Sequence, residues 1–156
     1  MSNRSDPDGW RRLYEGEECP ICRSVRIEGE CRGTIMELDT SFLTAQRDQP
    51  VRGSCCLVPK RHVVGLHELE EDAARKFMMG LRRVSGALKS ATGSVKMNLE
   101  LHGNTIPHLH AHFFPRYVGD RFEEGPIDLR EPFLPELSSK ELEDFADGPR
   151  AALVGD

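Results

Sequence analysis

No stretch of this 156-residue chain comes near the roughly 20 consecutive apolar residues of a membrane-spanning helix. Met1 to Arg12 is polar and lacks the apolar stretch of a secretory signal. Excess positive charge is missing too. A formal net charge of −5 argues against a nucleic-acid backbone as the main partner. Neither a Walker loop nor a dinucleotide-binding glycine fingerprint occurs, and there is no internal repeat. The five cysteines are few and odd in number, which fits a reducing cytoplasm better than a disulfide framework. These absences predict a soluble, cytoplasmic, single-domain protein, and the length is enough to bury a real core.

What the chain does have is three histidines at alternate positions, in Pro107-His108-Leu109-His110-Ala111-His112-Phe113-Phe114. A strand has a two-residue period, so His108, His110 and His112 are predicted to share one face, with Leu109, Ala111 and Phe113 pointing into a core. A metal-binding tract or a few solvated histidines would not need this apolar alternation. Two imidazoles about 7 Å apart along a strand can straddle one phosphate group. A neutral imidazole is a good nucleophile toward phosphorus, and a neighbouring imidazolium can protonate a leaving group.

The remaining pattern predicts an α+β fold. Gly33 to Leu38 and Ser41 to Ala45 read as two short strands, and Ser54 to Pro59 as a buried central strand in which Cys55 and Cys56 are small core residues. Glu70 to Ala91 reads as the one long helix. Ala74, Phe77, Leu81, Val84 and Leu88 form its apolar stripe, its Met residues are counted as core, and Gly93 ends it. Val95 to Leu101 is the next strand, and Gly103-Asn104 turns the chain into the histidine strand. Residues 1–16 read as a loose arm, residues 17–120 as the domain, and residues 121–156 as an acidic, Pro-containing tail. In that tail Ser138-Ser139-Lys140-Glu141 opens a short helix predicted to stop before Gly148-Pro149; the tail wraps the core or a partner subunit, or stays mobile.

Cys19-Pro20-Ile21-Cys22, taken alone, supports either a redox motif or half a zinc site. A thioredoxin-like motif needs a strand before it and a helix after it in a parallel sheet, whereas this one follows a polar arm. A tetrahedral zinc needs two further ligands, which histidines commonly supply.

His108-Leu109-His110-Ala111-His112-Phe113-Phe114 resembles the His-φ-His-φ-His-φ-φ motif of the histidine triad superfamily, with an apolar residue at all four φ positions. Leu57-Val58-Pro59-Lys60-Arg61-His62 and Leu101-His102-Gly103-Asn104, leading into Thr105-Ile106-Pro107, are similar to that family as well. Over residues 17–120 the chain resembles bacterial hydrolases of the diadenosine-tetraphosphate type. The resemblance implies an antiparallel sheet, often a homodimer, and action on a nucleotide at its α-phosphate. It implies His110 as the nucleophile that becomes nucleotidylated, His112 as phosphate ligand and helper of the leaving group, and the His108 carbonyl as the group that orients His110. Thr105 occupies the place of a phosphate-binding Ser or Thr, Asn104 that of a Gln, and Asn98 resembles the family's upstream polar residue on the preceding strand, so the resemblance implies all three as substrate-binding residues. The place of the Asp that many members use for the ribose hydroxyls holds Gln46, with Asp48 two residues on. Zinc-bearing members imply a structural Zn²⁺ held by Cys19, Cys22, His62 and His108. His67, His102 and Cys31 match no role.

Three function classes follow. The first is a nucleotide hydrolase acting on a dinucleoside polyphosphate or a nucleoside phosphoramidate, with a phosphorylase or nucleotidyltransferase as a variant that differs only in the acceptor. The second is a non-catalytic, zinc-stabilised nucleotide-binding module. The third is a redox protein using Cys19 and Cys22.

Overall fold

The computed structural model describes residues 6–29, 33–45 and 48–154. Two short helices come first, α1 (Pro7–Tyr14) and α2 (Pro20–Glu28). Strands β1 (Thr34–Glu37), β2 (Ser41–Ala45) and β3 (Cys55–Pro59) lead to the long helix α3 (Glu71–Thr92), then to β4 (Lys96–His102), β5 (His110–Arg116) and α4 (Ser139–Val154). The five strands form one sheet in the order β1-β2-β3-β5-β4 with every pairing antiparallel, which is the α+β architecture expected from the sequence.

Alternation along the strands builds the core. Leu43, Leu57, Ala111 and Phe113 pack against Phe77, Leu81, Val84 and Leu88 of α3. That helix runs one residue later at each end than expected, and Gly93 closes it at φ 65°, where a side chain would strain the backbone. Its stripe is as predicted, but Met78 and Met79 are more than half exposed. At 100° per residue Met78 falls on the flank of the Phe77 face and Met79 on the opposite side of the helix.

Two segments are more ordered than their composition suggests. In the N-terminal arm, Asp6 caps α1 by accepting from the Gly9 N–H at 3.0 Å, and Pro7 sits at the first helical position, where no N–H is required. Residues 7–14 are therefore a helix, not a loose arm. At the other end, α4 does not stop before Gly148-Pro149 but runs through it to Val154. A proline inside a helix costs about 3 kcal/mol. Burial of Ala146, Pro149 and Leu153 offsets that cost, and Gly148 lets α4 approach α3 so closely that an added Cβ would lie 3.1 Å from that of Ala91. Arg150 donates to the Ile35 carbonyl at 2.8 Å, and Arg83 of α3 to that of Leu153 at 2.9 Å.

The second face of the sheet is closed at one end by residues after β5. Phe122 and Ile127 pack with Val51 onto Phe114. Arg116 holds this excursion in place through a two-pronged ion pair to Asp120, both contacts at 2.9 Å, and through the carbonyls of Gly125 and Phe122. The other end of that face carries the histidines.

Candidate functional site

His110 and His112 point to the same side of β5, with ring centroids 4.8 Å apart. Their strand lies between β3 and β4, so the neighbours are set by register: Cys56 and Glu100 pair with His112, His102 pairs with His110, and Asn98 pairs with Phe114. His110 Nδ1 lies 2.6 Å from the His108 carbonyl oxygen. A carbonyl can only accept, so the proton belongs on Nδ1 and the lone pair on Nε2. Burial, with His102 nearby, holds the His110 pKa below the ordinary histidine value. The same desolvation, with His110 and His102 as neighbours, pushes His112 down to about 4. Both rings are therefore neutral at neutral pH.

His108 differs from the other two. The strand begins at His110, so the two-residue period does not reach back to His108 as expected. Its ring is buried at 1% exposure and joins Cys19, Cys22 and His62 instead of sharing the open face. The four donor atoms lie within 4.8 Å of one another. A tetrahedral Zn²⁺ with standard bond lengths has ligand–ligand edges of about 3.3 Å for N···N and about 3.5 Å for N···S. Here the two Nδ1 atoms are 3.3 Å apart, and the Nδ1-to-sulfur distances are 3.5 Å for His108–Cys19, 3.6 Å for His108–Cys22 and 3.3 Å for His62–Cys22.

The outer nitrogens complete the fit. His108 Nε2 donates to the Pro59 carbonyl at 2.9 Å and His62 Nε2 to that of Tyr14 at 2.8 Å, so both Nδ1 lone pairs face inward. Burial holds the His108 pKa at about 4, keeping that ring neutral and able to ligate. Burial and the adjacent Cys19 sulfur push the Cys22 thiol up to about 12. The local fold explains the placement: Cys19 caps α2, Pro20 opens it, and Cys22 follows in its first turn. Gly16, at φ 84°, passes over the His62 ring so closely that a Cβ would sit 3.1 Å from it. These four residues can hold a metal ion.

Other predicted site residues are less gathered. Asn98 is on the histidine side of β4, beside Phe114. Asn104 and Thr105 are exposed in the loop joining the paired His102 and His110. Asp48 is exposed in the β2–β3 connection, and Gln46 lies outside the described residues, as does Cys31.

Three neighbours of the histidines carry no role in the sequence reading. Cys56, expected as a core residue without a basic neighbour, places Sγ 3.3 Å from His112 Nδ1; Cys55 alone of the pair faces the core. His102, expected to have no role, stacks edge-on against His112 at 5.2 Å and bonds Glu100 at 3.0 Å. Alternation on β4 puts Asn98, Glu100 and His102 on one face, but only the register shows which face.

Comparison with known proteins agrees with this geometry. The model of the HIT domain matches residues 31–119. A histidine triad protein from Bradyrhizobium japonicum has a similar structure, with a TM-score of 0.70 and 29% identity over 77% of this chain and 89% of that one. A Zn-bound histidine triad family protein from Mycobacterium smegmatis shares the fold, with a TM-score of 0.66 and 21% identity over 88% of this chain and 94% of that one. In sequence, the adenylylsulfatase HINT3 of Arabidopsis thaliana is 27% identical over 66% of this chain and 54% of its own length. With more than half of its length matched by the domain model, the chain belongs to the HIT family.

Proposed function

We propose that this protein hydrolyses a nucleotide at its α-phosphate through a nucleotidyl-His110 intermediate, with a dinucleoside polyphosphate or a nucleoside phosphoramidate as substrate. The observation that carries this reading is the 2.6 Å contact of His110 Nδ1 with the His108 carbonyl, which leaves Nε2 as a neutral nucleophile beside a second imidazole. His110 Nε2 attacks the α-phosphorus, the bond to the leaving group breaks, and His112, which takes a second proton from solvent as the anionic substrate binds, gives that group a proton. Water then attacks, His112 takes its proton, and the P–N bond breaks to release the nucleotide and restore His110. Asn98, Asn104 and Thr105 are assigned to the phosphate oxygens, and Gln46 or Asp48 to the ribose.

The metal assigned to Cys19, Cys22, His62 and His108 is zinc. With four protein ligands it supplies folding energy and no open coordination position, so it ties the arm to the segment leading into β5. A site with two thiolate ligands suits the reducing cytoplasm assigned to the protein. A homodimer is part of the proposal: β4 is an edge strand that exposes Leu99 and Leu101, each at 48%. The name of the Arabidopsis relative adds adenylyl sulfate to the substrates worth testing.

Incubation with diadenosine tetraphosphate, an adenosine phosphoramidate and adenylyl sulfate, with and without inorganic phosphate, separates hydrolysis from phosphorolysis by product. Wild type quenched in alkali should carry the nucleotidyl group on the peptide containing His110, and His110→Ala should carry none and turn nothing over. Sustained turnover by His110→Ala would end the covalent mechanism.

A further inference from the structure

His110 and His112 sit on one strand face but differ in what their Nδ1 atoms meet. His110 Nδ1 meets a carbonyl oxygen, which fixes one tautomer. His112 Nδ1 meets the Cys56 thiol at 3.3 Å. A thiol is a weak donor and a weak acceptor, so it can partner Nδ1 both with and without a proton. Cys56 itself is buried at 5% exposure and directly opposite His112 in the β3–β5 pairing, so its position is set by the sheet.

We propose that Cys56 is the positioning residue that allows His112 to act as proton donor in the first half-reaction and proton acceptor in the second. The inference rests on the nucleotidyl-transfer reading above. In the free protein the Cys56 S–H donates to His112 Nδ1, which puts the ring proton on Nε2. When the anionic phosphate binds and the ring takes up a second proton from solvent, Nδ1–H donates back to the sulfur. Nε2 then gives its proton to the leaving group, and the ring is neutral with its proton on Nδ1. Water's proton next returns to Nε2, the imidazolium loses one proton to solvent, and the starting tautomer is restored. Cys56 keeps its own proton throughout. A carbonyl in its place would hold the Nδ1–H form and leave Nε2 bare in the resting enzyme, as it does for His110.

Among the described residues, the remaining groups against His112 do not supply this exchange. His110 and His102 meet it ring edge to ring face, and Phe114 stacks on it with ring planes 13° apart. Glu100, its partner on β4, bonds His102.

The test compares wild type, Cys56→Ala and Cys56→Ser on adenosine phosphate esters and phosphoramidates whose leaving groups span a range of basicity. Cys56→Ala should lower kcat about tenfold or more for the most basic leaving group and less than about threefold for the least basic, with KM nearly unchanged. Cys56→Ser, which keeps a group able to donate and accept, should return kcat to within about threefold of wild type across the series. Nitrogen NMR of the His112 ring should show the proton on Nε2 in wild type and Cys56→Ser, and a mixture of tautomers in Cys56→Ala. A folded Cys56→Ala protein with the wild-type tautomer, or with an equal loss for every leaving group, overturns the proposal, as does failure of Cys56→Ser to rescue. If wild type forms no adduct on His110, the hydrolase reading itself has failed, and the ring spectra then decide whether Cys56 sets the tautomer of His112.

Discussion

Removing the metal should free the N-terminal arm and leave the sheet intact. Neither α1 nor α2 contains a fully buried residue, and Cys19, at the junction before α2, is buried where it enters the four-residue cluster. The core is built from other elements: Leu43, Leu57, Phe77, Leu88 and Phe113 belong to β2, β3, α3 and β5. The arm is thus held chiefly by the metal ligands and by the Tyr14 carbonyl on His62. With free zinc at about a hundred times its dissociation constant, binding stabilises the liganded state by about 2.7 kcal/mol. Chelation should therefore lower amide-exchange protection in residues 7–28 by about a hundredfold, and in β2, β3, β5 and α3 by less than about threefold. Cys22→Ser should reproduce the chelated pattern even with zinc present, and metal analysis should find about one zinc per wild-type chain. Zinc affinity should fall as pH drops, because both thiols must lose protons to bind. Unchanged protection in the arm after chelation, or a uniform loss across the molecule, would refute the assignment of this cluster as a local clamp.

Other perturbations probe the frame around the site. Asp120→Asn leaves Arg116 without its counter-charge where both side chains are under a tenth exposed, and should cost about 3 kcal/mol in a denaturant titration. The Arg116 hydrogen bonds hold the Asp120 pKa down to about 2, so its contribution is complete above the ordinary carboxylate pKa and is lost as pH falls through about 2; the wild type should show this acid loss and the variant should not. Leu153→Ala, at a side chain 2% exposed on α4, should cost about 2–5 kcal/mol by thermal or chemical unfolding, whereas an uncoupled tail would cost nothing. Gln46→Asp should tighten nucleotide binding about tenfold and restore preference for ribose over 2′-deoxyribose by calorimetry, since a charged acceptor strengthens each hydroxyl bond. An Asp variant that binds no better would assign the sugar to Asp48 or another group.

Local periodicity makes much of this protein legible from its residues alone. The apolar stripe of α3 and the alternation that buries Ala111 and Phe113 behind His110 and His112 are short-range patterns, because helix and strand periods are backbone geometry. The capping pair Asp6-Pro7 is equally local and is hidden only by the polar composition around it. What local pattern does not reach is everything set by partners distant in the chain. His108 breaks from the triad because Cys19, Cys22 and His62, from segments 46 to 89 residues away, offer it a closed set of donors. Cys56 and His102 become neighbours of His112 through the order β3-β5-β4, and α4 crosses Gly148-Pro149 because α3 and β1 bury the turns beyond it. The sequence alone determined which residues could do phosphorus chemistry and bind a metal. Tertiary structure decided which histidine meets a carbonyl, which a thiol and which the cysteine cluster, since a ring's proton and lone pair are assigned by whatever the fold puts against each nitrogen.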